Sequence, residues 1–394
     1  MAGATGPPQT ASPELAGRGF DGPRACAPAE LGSAVDLLNH VFRGPPGSDR
    51  GPARPPDLGW AYSFVYHPGN LENLRVVCRR GRVVSLVAIY DTEVRTETGT
   101  VRVGGVCGVG THPDHRGLGL SSATLRDAER RMRQTGRHLG LLGATIHDFY
   151  RALGWERAGR MRAFTLDRRS AGWLPAAAGL EVAPDWRAHR DAICRLHNAR
   201  LPAARRTPDL TETLLERRAP RVLVGIRRGE PVAYVAGSDE RLVEHAGDAA
   251  DVAELVRHQV LAPRERSDDG DPPGRSAELT LFAPATRAET AQGVSSLLLA
   301  LGIPVSTGYI GMARLLDPAG LLAAFGPQPD LDLRSEPAAA GGGARWRVRH
   351  RGERASVVLD EADLTKLLLG PERRPELGPR PLPLDFFQWP VDRV

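Results

Sequence analysis

The sequence predicts an α+β fold, and three observations carry that prediction. Residues 74–95 hold two β-branched runs that meet at Gly81, the signature of a hairpin, and TVRVGGVCGVG (100–110) follows the turn signal Glu97-Thr98-Gly99 as a third strand. Apolar residues at helical spacing flank these strands on both sides, at Leu31, Val35, Leu38 and Phe42 and again at Leu118, Leu125, Ala128 and Met132. Consecutive antiparallel strands with helices before and after them place helices over a mostly antiparallel sheet.

The first helix is predicted over 29–42, on one face by the spacings of its four apolar residues. After the second helix, LGLLGAT (139–145) reads as a short strand and FYRALGW (149–155) as a short helix stopped by Gly154. A looser repeat of this order starts near 180, with EVAPDWRAHRDAICRLHNA (181–199) helical at its end, a strand-turn-strand in RVLVGIRRGEPVAYVAGS (221–238), the strand ELTLFAP (278–284) and a helix near 287–301. A third unit begins near 306 with YIGMARLLDPAGLLAAF, continues through ARWRVRHRGERASVVLD (344–360) and closes on the helix EADLTKLLLG. Segments 1–19, 43–57, 264–276 and 370–383 are rich in Pro, Gly and charge and read as tails or loops.

At 394 residues the chain is long for one domain, and two or three are expected. The apolar share of 41% and charged share of 25% exclude wholesale disorder. No apolar run reaches the ~18 residues of a membrane span, and the N-terminus lacks a secretory pattern, so a soluble, cytoplasmic protein is expected. Fifty-two basic against 47 acidic residues leave a formal charge of +5, too little for a nucleic-acid partner without a clustered basic face. Lys366 is the only lysine. Cys26, Cys78, Cys107 and Cys194 are scattered, with no C-x-x-C, so neither a disulfide framework nor a zinc finger is indicated. His112 and His115 form an H-P-D-H run with no further ligands nearby in sequence; no metal is expected there.

The segment that carries chemistry is VGTHPDHRGLGLSS (109–122). A strand ends at Thr111, a Pro-containing loop follows, and a helix opens near Leu118. Gly117 and Gly119 remove side chains that would keep an anion from the backbone, and the helix dipole adds positive character at that end. A phosphate or diphosphate fits such a nest; a glycine-assisted turn into a helix is the plainer reading of the same residues. A kinase-type P-loop is excluded because no G-K-[ST] follows, and a dinucleotide-binding sheet fits poorly because G-x-G-x-x-G is absent and the preceding strands are antiparallel.

RGLGLS (116–121), between a strand ending VGT and a long helix, resembles the R/Q-x-x-G-x-G/A signature of GNAT acyltransferases, with Ser121 at the final small position. FYRALGWE (149–156) resembles the F-Y-x-x-x-G-F element of the same family. Taken with the later segments, the whole chain is similar to the Eis (enhanced intracellular survival) family of N-acetyltransferases. That resemblance implies a tail over 1–19, a catalytic GNAT domain over 20–165, a second, degenerate GNAT-like domain over 166–305, and a sterol-carrier-like α+β domain over 306–394. It also implies acetyl-CoA as co-substrate, a primary amine as acceptor, no metal, and a homo-oligomer, commonly a hexamer.

Residue by residue, the resemblance implies that Val109, Gly110 and Thr111 hold the pantetheine and thioester through strand-like backbone bonds. Arg116 opens the signature, and the amides of Gly117, Leu118, Gly119, Leu120, Ser121 and Ser122 take the diphosphate. Thr145 and Ile146, at the end of LGLLGAT, line the other side. Tyr150 matches the general acid that protonates the leaving sulfur, while Phe149 and Trp155 are core. The resemblance also implies the chain's own C-terminal carboxylate, here that of Val394, as base; LPLDFFQWPVDRV (382–394) is too apolar and aromatic for a disposable tail and reads as docked, for that role or for structure alone, and Asp392 is a nearby substitute. Trp60, Tyr62, Phe64 and Tyr66 on alternate positions are either a wall for the amine or ordinary core, and Asp36, His40 and Glu93 could attract an ammonium. Two other functions remain open at this point: transfer of longer acyl groups, and apolar-ligand binding by the third domain with a vestigial transferase fold.

Overall fold

A computed structural model describes residues 13–44, 57–262, 278–326, 331–336, 344–350, 352, 354–371 and 384–392. Much of the predicted loops at 43–57, 264–276 and 370–383 therefore lies outside the described residues, as do residues 1–12 and Val394. The chain divides into two compact units, one holding residues up to 92 and 102–142, the other 93–101 and 143 onward.

In the first unit, β1 (Asp21–Ala25), α1 (Leu31–Arg43), β2 (Leu74–Arg79), β3 (Arg82–Arg95), β4 (Thr100–Thr111), α2 (Leu120–Gln134) and β5 (Leu139–Leu142) follow in order. The sheet runs β1-β2-β3-β4-β5, with β1, β2 and β3 antiparallel and β5 parallel to β4. The predicted hairpin closes at Arg80-Gly81, both in the left-handed region (φ 51° and 73°), which is the geometry of a two-residue turn matching strand twist. Leu74, Val76, Leu86 and Ala88 form a core with Ala34, Leu37 and Leu38 of α1. The expected helix face is rotated: Phe42 is 54% exposed, because Ala34 and Leu37, not Phe42, complete the stripe facing the sheet. Within the segment expected to be a disordered tail, Pro13–Ala16 form a helical turn that Leu15 fastens to Phe20, Val77 and Val84. Trp60 lies in the short helix Leu58–Ala61 and residues 62–67 are turns and bends, so the four aromatics do not share a strand face; Tyr66 is buried, Tyr62 and Phe64 pack beside it, and Trp60 is exposed.

The second unit holds α3 (His147–Arg151), β6 (Glu156–Ala158), β7 (Met161–Leu166), β8 (Glu181–Val182), α4 (Arg190–Ala199), β9 (Ala203–Ala204), α5 (Pro208–Arg218), β10 (Arg221–Arg227), β11 (Glu230–Gly237), β12 (Arg241–Ala246), α6 (Ala249–Leu261), β13 (Leu279–Pro284), α7 (Val294–Ala300), β14 (Val305–Gly308), β15 (Gly311–Leu315), α8 (Pro318–Ala324), β16 (Leu331–Glu336), β17 (Arg345–His350), β18 (Val357–Asp360) and α9 (Glu361–Leu369). Its main sheet runs β14-β7-β13-β12-β11-β10-β8, covered by a core of Phe164, Leu166, Val235, Leu255, Val256 and Leu281. The β10–β11 hairpin repeats the Arg-Gly turn of the first unit, with Arg228 at φ 51° and Gly229 at φ 82°. The helix predicted over 287–301 breaks at Gly293 into Arg287–Gln292 and α7, where a Cβ would sit 2.2 Å from the Glu289 carboxylate. A separate antiparallel sheet, β16-β17-β18, follows. Among the described residues no helix is long and apolar enough to cross a membrane.

Candidate active site

β4 ends at Thr111, and its parallel register with β5 covers only Val103–Gly105. The strand runs on for six further residues. Gly108 takes φ +60°, and a Cβ there would lie 2.1 Å from the Tyr66 hydroxyl, so only glycine admits that ring. Below it, Gly104 lets Met132 of α2 lie on the strand, since a Cβ would meet its sulfur at 2.2 Å.

The loop after β4 is shaped by its own side chains. His112 Nδ1 accepts from the Asp114 amide (3.3 Å), capping the short turn Pro113–His115, and Arg116 Nε donates to the Thr111 carbonyl (3.3 Å). Gly117 and Gly119 then take φ +73° and +76°, and a Cβ added at either would meet nothing within 4 Å. The backbone path needs glycine there, and the space in front is open. The first helical bond of α2 is Ala123 N–H to Gly119 O (3.0 Å). Amides up to Ser122 therefore lack partners in the helix and crown its positive end. No acidic residue stands in that first turn.

A row of hydroxyls, buried except at the half-buried Ser121, fixes this end. Ser121 Oγ lies 2.6 Å from Thr111 Oγ1, which lies 3.0 Å from Ser85 Oγ, itself 3.1 Å from Thr124 Oγ1; Thr124 donates to the Leu120 carbonyl (2.8 Å). A carbonyl only accepts and each hydroxyl has one proton, so the row runs head to tail from Ser121 through Thr111 and Ser85 to Thr124. The Ser121 proton points inward. Ser85 and Thr124 carry no signal in sequence, because their role depends on contacts 26 and 39 residues apart.

Beside the loop is a cavity of about 1210 Å³, walled by α1, by the β2–β3 turn and by His112 and His115. Arg43, Arg79, Arg80 and Arg82 bring four cations to its lining and Asp57 an anion, with His40 stacked on His112 at 4.8 Å. Asp36 also lines it, whereas Glu93 pairs instead with Arg205 (3.9 Å).

In the second unit, Tyr150 is buried on α3, edge-on to Phe149 and Trp155. Burial raises its phenol above the ordinary value, so it keeps its proton through neutral pH. Gly154 ends the turn at φ +83°, as expected. Thr145 and Ile146 are not at a strand end: β5 stops at Leu142, Gly143 follows, and both side chains are exposed, Ile146 by 67%.

The docked C-terminal segment is also here. Leu384, Phe386, Phe387, Trp389 and Val391 are buried, and Asp392 is held by Arg206 Nε (2.6 Å), which removes it as a free base. His197, Glu244 and Asp392 bring ligand-type atoms within 4.8 Å of one another, but the Arg206 guanidinium already donates to both carboxylates and supplies the cation of that group. Val394 lies outside the described residues.

Residues 23–158 match the acetyltransferase (GNAT) domain family. No curated protein matches the chain in sequence. Among solved structures, a GCN5-related N-acetyltransferase from Anabaena variabilis is 16% identical, with a TM-score of 0.61 over 88% of this chain and 89% of that one. A conserved protein of unknown function from Enterococcus faecalis, a probable N-acyltransferase, is 14% identical, with a TM-score of 0.60 over 86% and 85%. Eis1 from Mycobacterium abscessus is 15% identical, with a TM-score of 0.56 over 87% and 88%. The chain thus carries a GNAT acetyltransferase domain, and its described length shares a fold with these proteins.

Proposed function

We propose that the chain is a cytoplasmic N-acetyltransferase that moves acetyl from acetyl-CoA to a primary amine by direct attack in a ternary complex. The observation that carries this reading is the open, positively polarised amide end of α2 beside a cationic cavity. The amides of residues 117–122 suit the diphosphate, and the arginines of the β2–β3 turn suit the other phosphorylated end of the coenzyme. Val109, Gly110 and Thr111 lie on the stretch of β4 past its register with β5, where backbone groups can pair with pantetheine amides.

In the step itself the amine nitrogen attacks the thioester carbonyl carbon, a C–N bond forms and the C–S bond breaks. Tyr150 gives its proton to the departing sulfur; its burial keeps that proton in place until then. The carboxylate of Val394 takes the amine proton. The repeat of the Arg-Gly hairpin supports a second GNAT-like domain, and the sheet β16-β17-β18 with α8 and α9 supports a sterol-carrier-like third one. A homo-oligomer belongs to the same reading.

The test is coenzyme linkage followed by turnover. Saturating coenzyme A is expected to raise the melting temperature, by about 2.7 kcal/mol of stabilisation at a hundredfold excess over Kd. A panel of polyamines, aminoglycosides and lysine peptides is expected to release thiol from acetyl-CoA. Tyr150→Phe should lower kcat by about 10²-fold at unchanged coenzyme affinity. No thermal shift and no thiol release with any amine would overturn the reading.

A further inference from the structure

Tyr66 is a buried phenol of the first unit that no step of the reaction above uses. Its ring packs in the core with Leu38, Val65 and Leu74, and the backbone that carries it is pinned. The Val65 and Tyr66 N–H groups both donate to the Tyr62 carbonyl (2.8 and 3.0 Å). Asn70 Nδ2 donates to the Val65 carbonyl (2.9 Å) and to that of Ile89 on β3 (3.1 Å), while Asn73 Nδ2 donates to Asn70 Oδ1 (3.0 Å). The ring is thus tied to the sheet from both sides of its own loop.

Its hydroxyl comes out against β4 at Gly108, 2.1 Å from where a Cβ would stand, with Leu38 Cδ1 3.0 Å from the same point. Among the described residues its one hydrogen-bond partner is the Cys107 sulfur at 3.9 Å, a long contact to a weak group. A buried phenol ordinarily finds a full partner, and leaving one short costs stability. Packing does not need the hydroxyl, since a phenylalanine ring would fill the same core. The strand beside it supplies a reason to keep it. β4 is buried from Val103 to Val106 and again at Gly110 and Thr111, but Cys107, Gly108 and Val109 are only half-buried, in the stretch past the register with β5. The hydroxyl therefore stands at the half-open part of the strand, one residue before Val109, and consecutive Cα atoms are only about 3.8 Å apart.

We propose that Tyr66 is a catalytic residue whose hydroxyl donates a hydrogen bond to the acyl carbonyl oxygen of the thioester. This rests on the transferase reading, in which Val109, Gly110 and Thr111 hold pantetheine and thioester. As the amine attacks, the carbonyl electron pair moves onto oxygen, and a donor already in place stabilises that charge. The phenol keeps its own proton. When the intermediate collapses the C=O bond re-forms and the C–S bond breaks, with the amine and sulfur protons handled as above. Burial raises the Tyr66 phenol well above its ordinary value, so it stays a donor at neutral pH.

The test is Tyr66→Phe in the full chain, which keeps the ring and removes the hydroxyl. The infrared carbonyl band of carbonyl-labelled acetyl-CoA should lie lower on the wild-type protein than in solution, and move back up on Tyr66→Phe. The kcat should fall at least tenfold with the KM for acetyl-CoA within twofold. The urea midpoint should hold or rise, because the lost hydroxyl had no full partner. A group that only packs gives the opposite: a lower midpoint, the same band and the same kcat. An identical band in the two proteins, or a kcat within twofold, overturns the proposal and leaves the transferase reading standing so long as the wild-type chain releases thiol. If the wild-type chain binds no coenzyme A, or releases no thiol with any amine, the transferase reading fails and the role of Tyr66 falls with it.

Discussion

A strand passes into a helix through glycine in both units, and the two turns are built for opposite ends. Between β4 and α2, Gly117 and Gly119 face empty space and the first turn of the helix has no acidic residue. Between β12 and α6, Gly247 at φ +122° is pressed against its neighbours: a Cβ would lie 2.5 Å from Ala233 Cβ and 2.6 Å from the Val232 carbonyl. Asp248 stands at the N-cap position of that helix, without a side-chain bond to its amides, and Asp251 sits buried in its first turn, paired with Arg227. Two carboxylates already answer the positive end of that dipole. Glycine at a helix entry is therefore no anion site by itself. On the function proposed above, the vacant volume over the amides makes one.

The largest effect expected from this contrast is at Gly119. Gly119→Glu puts a carboxylate into the vacant volume and a side chain at φ +76°, and coenzyme A affinity should fall by more than 100-fold by calorimetry. Retained affinity would mean that the diphosphate is held elsewhere. The mirror experiment is Gly247→Ala. Here the close backbone contacts predict a loss of about 3 kcal/mol in urea unfolding, with coenzyme affinity of the folded protein unchanged. A drop in affinity equal to that of Gly119→Glu would erase the distinction between the turns.

The networks behind the two turns also differ, one of hydroxyls and one of charges. In the second unit burial pushes the His197 and His245 imidazoles below the ordinary value, with Arg206 and Arg200 repelling a proton at His197 and Arg200 at His245; Glu244 pulls the other way in both, joined by Asp392 at His197. His245 falls to about 3. The unfolded chain protonates His245 near pH 6.5 and the folded one only near 3, so stability drops as pH falls across that window, and the lowered His197 acts in the same direction. The slope is about 1.4 kcal/mol per pH unit for His245. His245→Phe should remove one histidine's share of that slope between pH 6.5 and 5. An unchanged slope would place the acid sensitivity outside this network.

What the sequence made legible divides along the same line. The Arg80-Gly81 hairpin, the glycines of RGLGLS and the stop at Gly154 are local: their backbone demands depend on neighbours a few residues away, and each is found where the spacing put it. Phe42 was misplaced because a helix stripe can be rotated by one residue without changing its period, and only the facing sheet decides. LGLLGAT was read too long because its strand ends when its buried partners do, at Leu142. Arg206, Glu244 and Asp392 were invisible as a set, being 38 and 186 residues apart in the chain. A charged residue read singly is a surface residue on all general odds; burial appears only with its partners.

The smallest effect is the most informative about how the first turn works. Ser121 fills a position where the family signature has Gly or Ala, and a hydroxyl beside a diphosphate invites a direct bond. The head-to-tail row argues otherwise. Thr124 must donate to the Leu120 carbonyl, which obliges Ser85 to donate to Thr124, Thr111 to Ser85, and Ser121 to Thr111. No proton is left on Ser121 for a ligand, and its oxygen would only repel one. Ser121→Ala should thus cost about 1 kcal/mol of stability from the lost inward bond and change coenzyme affinity less than threefold. A tenfold loss of affinity would reverse the row, turning the Ser121 proton outward and making the side chain, with the amides, part of the grip.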